Sequence, residues 1–236
     1  MGVHPGFREE LKFWGRELTL EGDYSDFVAA SLDPAHMAQV YPARIDPYLV
    51  ELQARFGGRL RVLDVGCGPA SLLSLGHLRG SFDLTGVDPL TSRYRTILGR
   101  DRRVSVGSLQ TGFGETLSSL FPPESFHLIY MCNALDHSQS PSKVLSQMCR
   151  ALKPGGVLFL QGYVREGSAN QFHGLHKHDL YLLSEGRLMC RSLTWPLGNR
   201  ARAHSLSDNL PLSVLAQTEP SDEVKGFLRV TYRKHG

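Results

Sequence analysis

The sequence predicts an α/β fold in three layers, a mostly parallel sheet between helices, with an N-terminal helical cover and a C-terminal antiparallel element. Three observations carry this. From residue 60 onward, short runs of branched apolar residues alternate with stretches of helical periodicity. The first 55 residues lack such runs and repeat their apolar side chains at helical spacing. The tail beyond His178 shows two strand-like runs about a turn and one more alternating run at the end.

Taken in order, Phe7, Leu11, Phe13, Trp14 and Leu18 mark an amphipathic helix, broken at Glu21-Gly22-Asp23. Asp33-Pro34 and Tyr41-Pro42 are helix boundaries, because the residue before proline is pushed out of the helical region. Ile45 to Phe56 reads as a helix stopped by Gly57-Gly58. Leu60 to Val65 is a first strand ending in Gly66-Cys67-Gly68, with a helix expected over Ala70 to Leu78. Phe82 to Val87 is a second strand ending at Asp88, and Thr91 to Leu98 a helix. Val104-Ser105-Val106, Phe126 to Met131 and Val157 to Leu160 read as the third, fourth and fifth strands. Ser142 to Leu152 is a helix with Val144, Leu145, Met148 and Leu152 on one face, ended by Lys153-Pro154-Gly155-Gly156. His178–Leu183 and Arg187–Ser192 form a hairpin around Ser184-Glu185-Gly186. Pro196 to Asp222 is expected to be a loop or cover, and Gly226 to Arg233 a last strand.

Composition removes several classes. The 236 residues are 41% hydrophobic and 21% charged, which excludes a disordered chain. The 24 Gly follow no strict period and there are 4 Cys, which excludes collagen-like and disulfide-scaffold chains. With 26 Lys+Arg against 23 Asp+Glu the net charge is +3. The Arg-rich patches, Arg100 to Arg103 and Arg200 with Arg202, are short and read as solvated surface, so nucleic acid is not expected as a partner. Cys67, Cys132, Cys149 and Cys190 lack CxxC spacing and are expected to be reduced thiols. Met1 to Thr19 carries six charges at Arg8, Glu9, Glu10, Lys12, Arg16 and Glu17, unlike a secretory leader. No run approaches the ~20 apolar residues of a membrane span. A cytoplasmic protein, monomer or homodimer, is expected.

Strand, glycine turn, helix is a geometry that brings backbone close to a ligand. Gly66 and Gly68 remove side chains there, and the following helix is expected to turn its N-terminus toward a negative group. Asp88, 20 residues after Gly68, is placed to accept both hydroxyls of a ribose. A dinucleotide site would carry a third glycine, whereas Gly66-Cys67-Gly68-Pro69-Ala70-Ser71 has none. Asp64, two residues before the first glycine, suits a ligand with a cationic amine, which S-adenosylmethionine has.

Val62-Leu63-Asp64-Val65-Gly66-Cys67-Gly68-Pro69 resembles the first motif of class I S-adenosylmethionine-dependent methyltransferases, and Gly86-Val87-Asp88 the second. Glu124 to Ile129 and Leu152 to Gly156 are similar to the approaches to their fourth and fifth strands, in register over about residues 58 to 163. The branch it looks like is that of quinone-biosynthesis and natural-product methyltransferases. The resemblance implies a three-layer Rossmann-like methyltransferase fold over residues 58–236, with residues 1–57 covering the cofactor and shaping an acceptor pocket. Trp14, Tyr24 and Tyr41 either line that pocket or pack the helices onto the core, and packing is the expectation for Trp14. It implies that Gly66, Cys67 and Gly68 border the methionine part and ribose, that Asp88 holds the ribose hydroxyls, and that Pro89 and Leu90 pack on the adenine. Cys132 and Asn133 would line the site near the sulfonium. Where relatives carry an Asp-Ala-Glu type triplet, this chain has Phe113-Gly114-Glu115, so the adenine amino group loses its carboxylate and Phe113 is expected against the ring.

Methyl transfer from a sulfonium needs alignment and exclusion of water, with a base only where the nucleophile carries a proton. His137 in Asn133-Ala134-Leu135-Asp136-His137 is the first candidate base, since it follows the fourth strand and imidazole titrates near ~6.5. His173 and His176, in His173-Gly174-Leu175-His176-Lys177-His178-Asp179, are the alternatives; packing roles for all three stay open. HxxHxH without a nearby cysteine is weak metal spacing, and no metal is expected. The expected reaction is methylation of a small-molecule hydroxyl or amine. RNA or protein methylation, a non-catalytic cofactor-binding scaffold and, last, a nicotinamide oxidoreductase are the alternatives. No Asn-Pro-Pro-Tyr-like run follows the fourth strand and no Pro-Cys pair occurs, which argues against base-amine and cytosine C5 methylation.

Overall fold

The computed structural model describes residues 5–19, 21–33, 35–98, 107–194, 199–200, 203–218 and 226–236. Three helices come first: α1 (Pro5–Leu18), α2 (Ser25–Leu32) and α3 (Asp46–Phe56). Then follow β1 (Leu60–Val65), α4 (Ser74–Leu78), β2 (Phe82–Asp88), α5 (Thr91–Leu98), β3 (Ser108–Thr111), β4 (Phe126–Cys132), α6 (Pro141–Ala151) and β5 (Leu152–Tyr163). The remainder is α7 (Glu166–Ala169), β6 (His178–Leu182), β7 (Leu188–Thr194), β8 (Asn199–Arg200), β9 (His204–Ser205), β10 (Leu212–Gln217) and β11 (Phe227–Lys234).

Among the described residues a seven-stranded sheet runs in the order β10-β11-β5-β4-β1-β2-β3. The pairs β1–β2, β1–β4, β2–β3 and β4–β5 are parallel, and β11 is antiparallel to both β5 and β10. The sheet is therefore mostly parallel with an antiparallel C-terminal element, as the alternation of elements predicts. One face buries Leu63, Val65, Ile129 and Leu158 against Val144, Leu145 and Met148 of α6. The other buries Val62, Tyr130 and Phe159 against Leu49 and Leu52 of α3. A separate cluster of Leu18, Val28, Leu90 and Tyr94 fastens α1 and α2 beside α5. Each large apolar side chain so buried contributes about 2 kcal/mol, so this small cluster is enough to hold the amphipathic α1 in place.

Three expectations need correction or relocation. The helix expected from Ala70 begins only at Ser74. Ser71 is the reason: its hydroxyl bonds the Asp64 carboxylate at 2.5 Å and accepts the Leu73 N–H at 3.2 Å, while Ser74 Oγ bonds the Ser71 carbonyl at 2.8 Å. These side-chain bonds replace the first helical turn, so no helix N-terminus stands behind the glycines. The stretch from Pro196 to Asp222, read as a loop, contains β9 and the edge strand β10. The strand β10 carries Leu212, Val214, Leu215 and Ala216, but it is short, largely exposed and held by its ladder to β11, and the turn-rich sequence around it reads as loop. The strand read at Val104–Val106 lies outside the described residues; the described third strand is Ser108–Thr111.

The hairpin β6–β7 is antiparallel from His178↔Ser192 to Leu182↔Leu188 and is anchored by Asp179. Its fully buried carboxylate accepts the Ser168 N–H and hydroxyl, both at 2.6 Å, and Arg191 Nη2 at 2.7 Å. Removing one partner of a buried pair leaves a desolvated charge. Asp179→Ala is expected to lower stability by about 3 kcal/mol in urea titration, with loss of order around α7.

Candidate active site

The chain runs β1-β2-β3 toward one edge of the sheet and then crosses back to β4 beside β1. A crevice opens at the carboxyl ends of strands at such a switch point. Here it is a cavity of ≈ 210 Å³. Gly66 follows β1, Asp88, Pro89 and Leu90 end β2, Phe113, Gly114 and Glu115 follow β3, and His137 follows β4; all line it. The helix α1 covers it with Phe7 and Glu10, and Leu175 and Lys177 reach in from the segment between α7 and β6.

Gly66 and Gly68 have φ of +71° and +59°, where glycine is favoured. The Gly66 and Cys67 N–H groups bond the Val87 carbonyl at 2.8 and 3.3 Å. A Cβ on Gly66 would sit 2.4 Å from Ala134 Cβ. Gly66→Ala is therefore expected to cost about 3 kcal/mol by chemical denaturation, since positive φ and overpacking add. A Cβ on Gly68 would lie 3.4 Å from the Trp14 ring, whose Nε1 donates to Glu10 at 2.8 Å.

Asp88 is the electrostatic centre of the cavity. One oxygen accepts the Gly68 N–H at 3.1 Å and the other the Leu90 N–H at 2.8 Å. Each carboxylate oxygen keeps a lone pair for one further donor. Burial pushes this carboxyl up to about 6, against the two N–H bonds that favour the anion. Asp64 sits behind it, buried, bonded to Ser71 and absent from the lining. Burial, opposed by the Ser71 bond and assisted by the Asp88 charge, pushes Asp64 up to about 7.

The other expected positions divide. Phe113 is exposed at the rim, 6.1 Å between ring centroids from Phe7. Glu115 lines the cavity, but its Oε1 accepts the Gln139 and Ser140 N–H groups at 2.7 and 3.2 Å and so fixes the start of α6. Cys67 and Gly68 lie behind the lining, and burial raises the Cys67 thiol well above its usual value. Cys132 points to Gln161 Nε2 at 3.3 Å, and exposed Asn133, at φ +47°, borders a separate small cleft with Gly162 and Tyr163. The cavity's Glu10, Leu175 and Lys177 are residues that local motifs did not single out.

The histidines also divide. A 3-10 turn, Leu135–His137, presents Asp136 and His137 together. His176 meets them: its Nδ1 is 2.7 Å from Asp136 Oδ2 and 3.1 Å from His137 Nε2, and His137 Nε2 is 3.5 Å from the same oxygen. The Lys177 N–H on the Asp136 carbonyl, 3.1 Å, ties the two segments. Burial lowers the His176 imidazole, but the Asp136 carboxylate outweighs it and holds His176 above its ordinary value. Burial raises Asp136, and His137 and His176 outweigh that in turn. His173 is exposed and outside this group. No helix among the described residues is long and apolar enough to cross a membrane.

A switch-point cavity, a buried carboxylate with two free acceptor positions at the end of β2, and titratable groups on the opposite wall define a nucleoside-cofactor enzyme of the α/β class. A family model described as a methyltransferase domain matches residues 35–193. The chain belongs to that family, the class I S-adenosylmethionine-dependent methyltransferases, and its cofactor is S-adenosylmethionine. Over 131 residues it is 33% identical to a ubiquinone biosynthesis O-methyltransferase of Dechloromonas aromatica, covering 54% of this chain and 52% of the relative. Over 133 residues it is 29% identical to a tRNA U34 carboxymethyltransferase of Haemophilus influenzae, covering 54% and 38%. The chain thus spans about half the length, or less, of these curated relatives. The solved CurJ carbon methyltransferase aligns over 94% of this chain and 63% of its own, with 16% identity and a TM-score of 0.54, a likeness of fold.

Proposed function

We propose that this chain transfers a methyl group from S-adenosylmethionine to a hydroxyl of a small-molecule acceptor. The observation that carries the reading is the Asp136–His137–His176 group, whose His137 lines the cavity with the other two behind it. A hydroxyl must lose a proton to become a methyl ether, and this is the titratable group placed beside the cavity to promote that loss. Bound S-adenosylmethionine supplies an electrophilic methyl carbon on a sulfonium. Asp88 would hold the ribose hydroxyls, Pro89, Leu90 and Phe113 would flank the adenine, and Gly66 would pass under the methionine portion. The helix α1 acts as cover: it lies against the segment carrying Leu175, whose Cδ2 lies 2.5 Å from where a Gly6 Cβ would stand. That closure keeps water from competing as acceptor.

The O-methyltransferase relative supports a hydroxyl acceptor. The tRNA-directed relative raises nucleic acid as the competing acceptor. The modest net charge of +3 and the lack of a dense Lys/Arg run argue against it. Free thiols at all four cysteines fit a reducing compartment, the cytoplasm. The test is calorimetric titration with S-adenosylhomocysteine, with NAD as control, followed by product detection over a panel of phenols, alcohols, amines and tRNA. Binding of the first ligand alone and turnover on hydroxyl compounds are expected. Turnover on tRNA only, or binding with no turnover on any acceptor, would overturn the assignment.

A further inference from the structure

We propose that Asp136, His137 and His176 form a binding site for a divalent transition ion of the zinc class; its use in catalysis, though not its binding, rests on the reading above. The three atoms Asp136 Oδ2, His137 Nε2 and His176 Nδ1 are mutually 2.7, 3.1 and 3.5 Å apart. Ligands at about 2.0–2.1 Å from a tetrahedral ion stand about 3.3 Å from one another, so two of these separations need about 0.2 Å of adjustment and the 2.7 Å one about 0.6 Å. With a proton on Nδ1, His176 donates to Asp136 and, in a three-centre bond, toward the His137 Nε2 lone pair. With that proton gone, all three atoms offer lone pairs to one common point, and a cation there satisfies them together.

The donor set is specific. Two imidazoles and a carboxylate suit zinc and its first-row neighbours, whereas calcium and magnesium favour oxygen donors. Asp136 is 5% exposed, and the Lys177 N–H on its carbonyl fixes the approach of the second segment. The Lys177 ammonium turns away to the Phe172 carbonyl at 3.3 Å, so it does not compete for the site. His137 lines the cofactor cavity, which leaves a position toward that cavity for a fourth ligand. Three protein ligands and one open position are the arrangement of catalytic rather than structural zinc. The acceptor oxygen would take it: its O–H bond breaks with the proton passing to water, the oxygen–carbon bond forms, and the carbon–sulfur bond breaks with its electron pair going to sulfur.

The experiment is titration of the chelator-treated full chain with Zn²⁺ by calorimetry, and with Co²⁺ by visible absorption. Binding of S-adenosylhomocysteine is measured in every sample as a check on folding. One equivalent of Zn²⁺ and the visible bands of four- or five-coordinate Co²⁺ are expected. His137→Ala and His176→Gln should each weaken Zn²⁺ by about 100-fold or more, because loss of a mere outer partner already costs about 10–100-fold. His173→Ala should keep the ion. Absence of stoichiometric binding in a protein that binds S-adenosylhomocysteine, or equal binding by both His variants, overturns the site. Zn²⁺ binding without S-adenosylhomocysteine binding would leave the site standing and remove the methyltransferase reading.

Discussion

Asp88→Ala is expected to lower affinity for S-adenosylhomocysteine by about 100-fold or more, read by calorimetry. The variant removes acceptors for two ribose hydroxyls, and hydrogen bonds to a charged group are worth about 1.5–3 kcal/mol each. It also releases the Gly68 and Leu90 N–H groups, which the carboxylate now holds at 3.1 and 2.8 Å. Asp88→Asn separates the two effects, since one amide oxygen still accepts while the charge is gone. Affinity left unchanged in both variants would show that the ribose lies elsewhere. The same residue sets a pH dependence. Burial raises Asp88 to about 6 and Asp64 to about 7, above the unfolded carboxylate value of 3.8. The folded state therefore holds more protons than the unfolded one between roughly pH 4 and 7, and stability falls as pH rises through that window. Hydroxyl donors prefer the carboxylate anion, so cofactor affinity moves the opposite way and increases from about pH 5 to 7. The ligand-free Tm should decline over that range while the increment produced by S-adenosylhomocysteine grows. An increment independent of pH in the wild type would contradict the assignment.

Asp136→Asn is expected to cut turnover by on the order of 10²–10³-fold while leaving S-adenosylhomocysteine affinity within about threefold. The side chain is isosteric and 5% exposed, so the change removes charge rather than volume. With it goes the group that holds His176 at 2.7 Å and stands 3.5 Å from His137. The loss should fall on kcat, because no atom of Asp136 lines the cofactor cavity. Equal losses in cofactor affinity and turnover would mean that Asp136 shapes the pocket and takes no part in promoting deprotonation. The split between the two parameters is the informative readout, since a purely structural lesion depresses both.

The glycine turn after β1 and the carboxylate at the end of β2 were legible because these residues obey local geometry and strand register. A branched apolar strand must end where Gly66 turns at positive φ, and the parallel neighbour β2 must end in register with it. Asp88 therefore reaches the Gly68 N–H as a consequence of strand pairing that the two motifs already imply. The order of the main elements, α1 to α5 with β1 and β2, then β4, α6, β5, β6, β7 and β11, was legible for the same reason: periodicity is a local property of residues that face one core. Where a side chain competes with backbone, that legibility ends. Ser71 takes the bonds that would have started α4 four residues earlier, and nothing in its local sequence identifies Asp64 as its partner. The edge strand β10 was unreadable because pairing with β11, not burial, holds it in place.

The opposite wall was decided by tertiary structure. His137 and His176 are 39 residues apart, on segments that meet because β5, α7 and the Asp179-anchored hairpin return the chain over the cavity. Neighbouring residues such as Asp136 and His137 are expected to point apart, and only the 3-10 turn Leu135–His137 brings both to one imidazole. His173, in the same histidine-rich stretch, stays outside, so composition alone could not sort the three. Cys132 diverges from the cavity because it alternates in β4 with the cavity-lining Met131 and packs on the α3 side of the sheet, and Asn133 because its turn at φ +47° redirects the chain. The sequence by itself determined the fold and the placement of the Asp88 carboxylate at the end of β2, since both follow from local pattern and strand register. Only the tertiary structure decided which histidines converge, because that convergence depends on long-range closure of the chain.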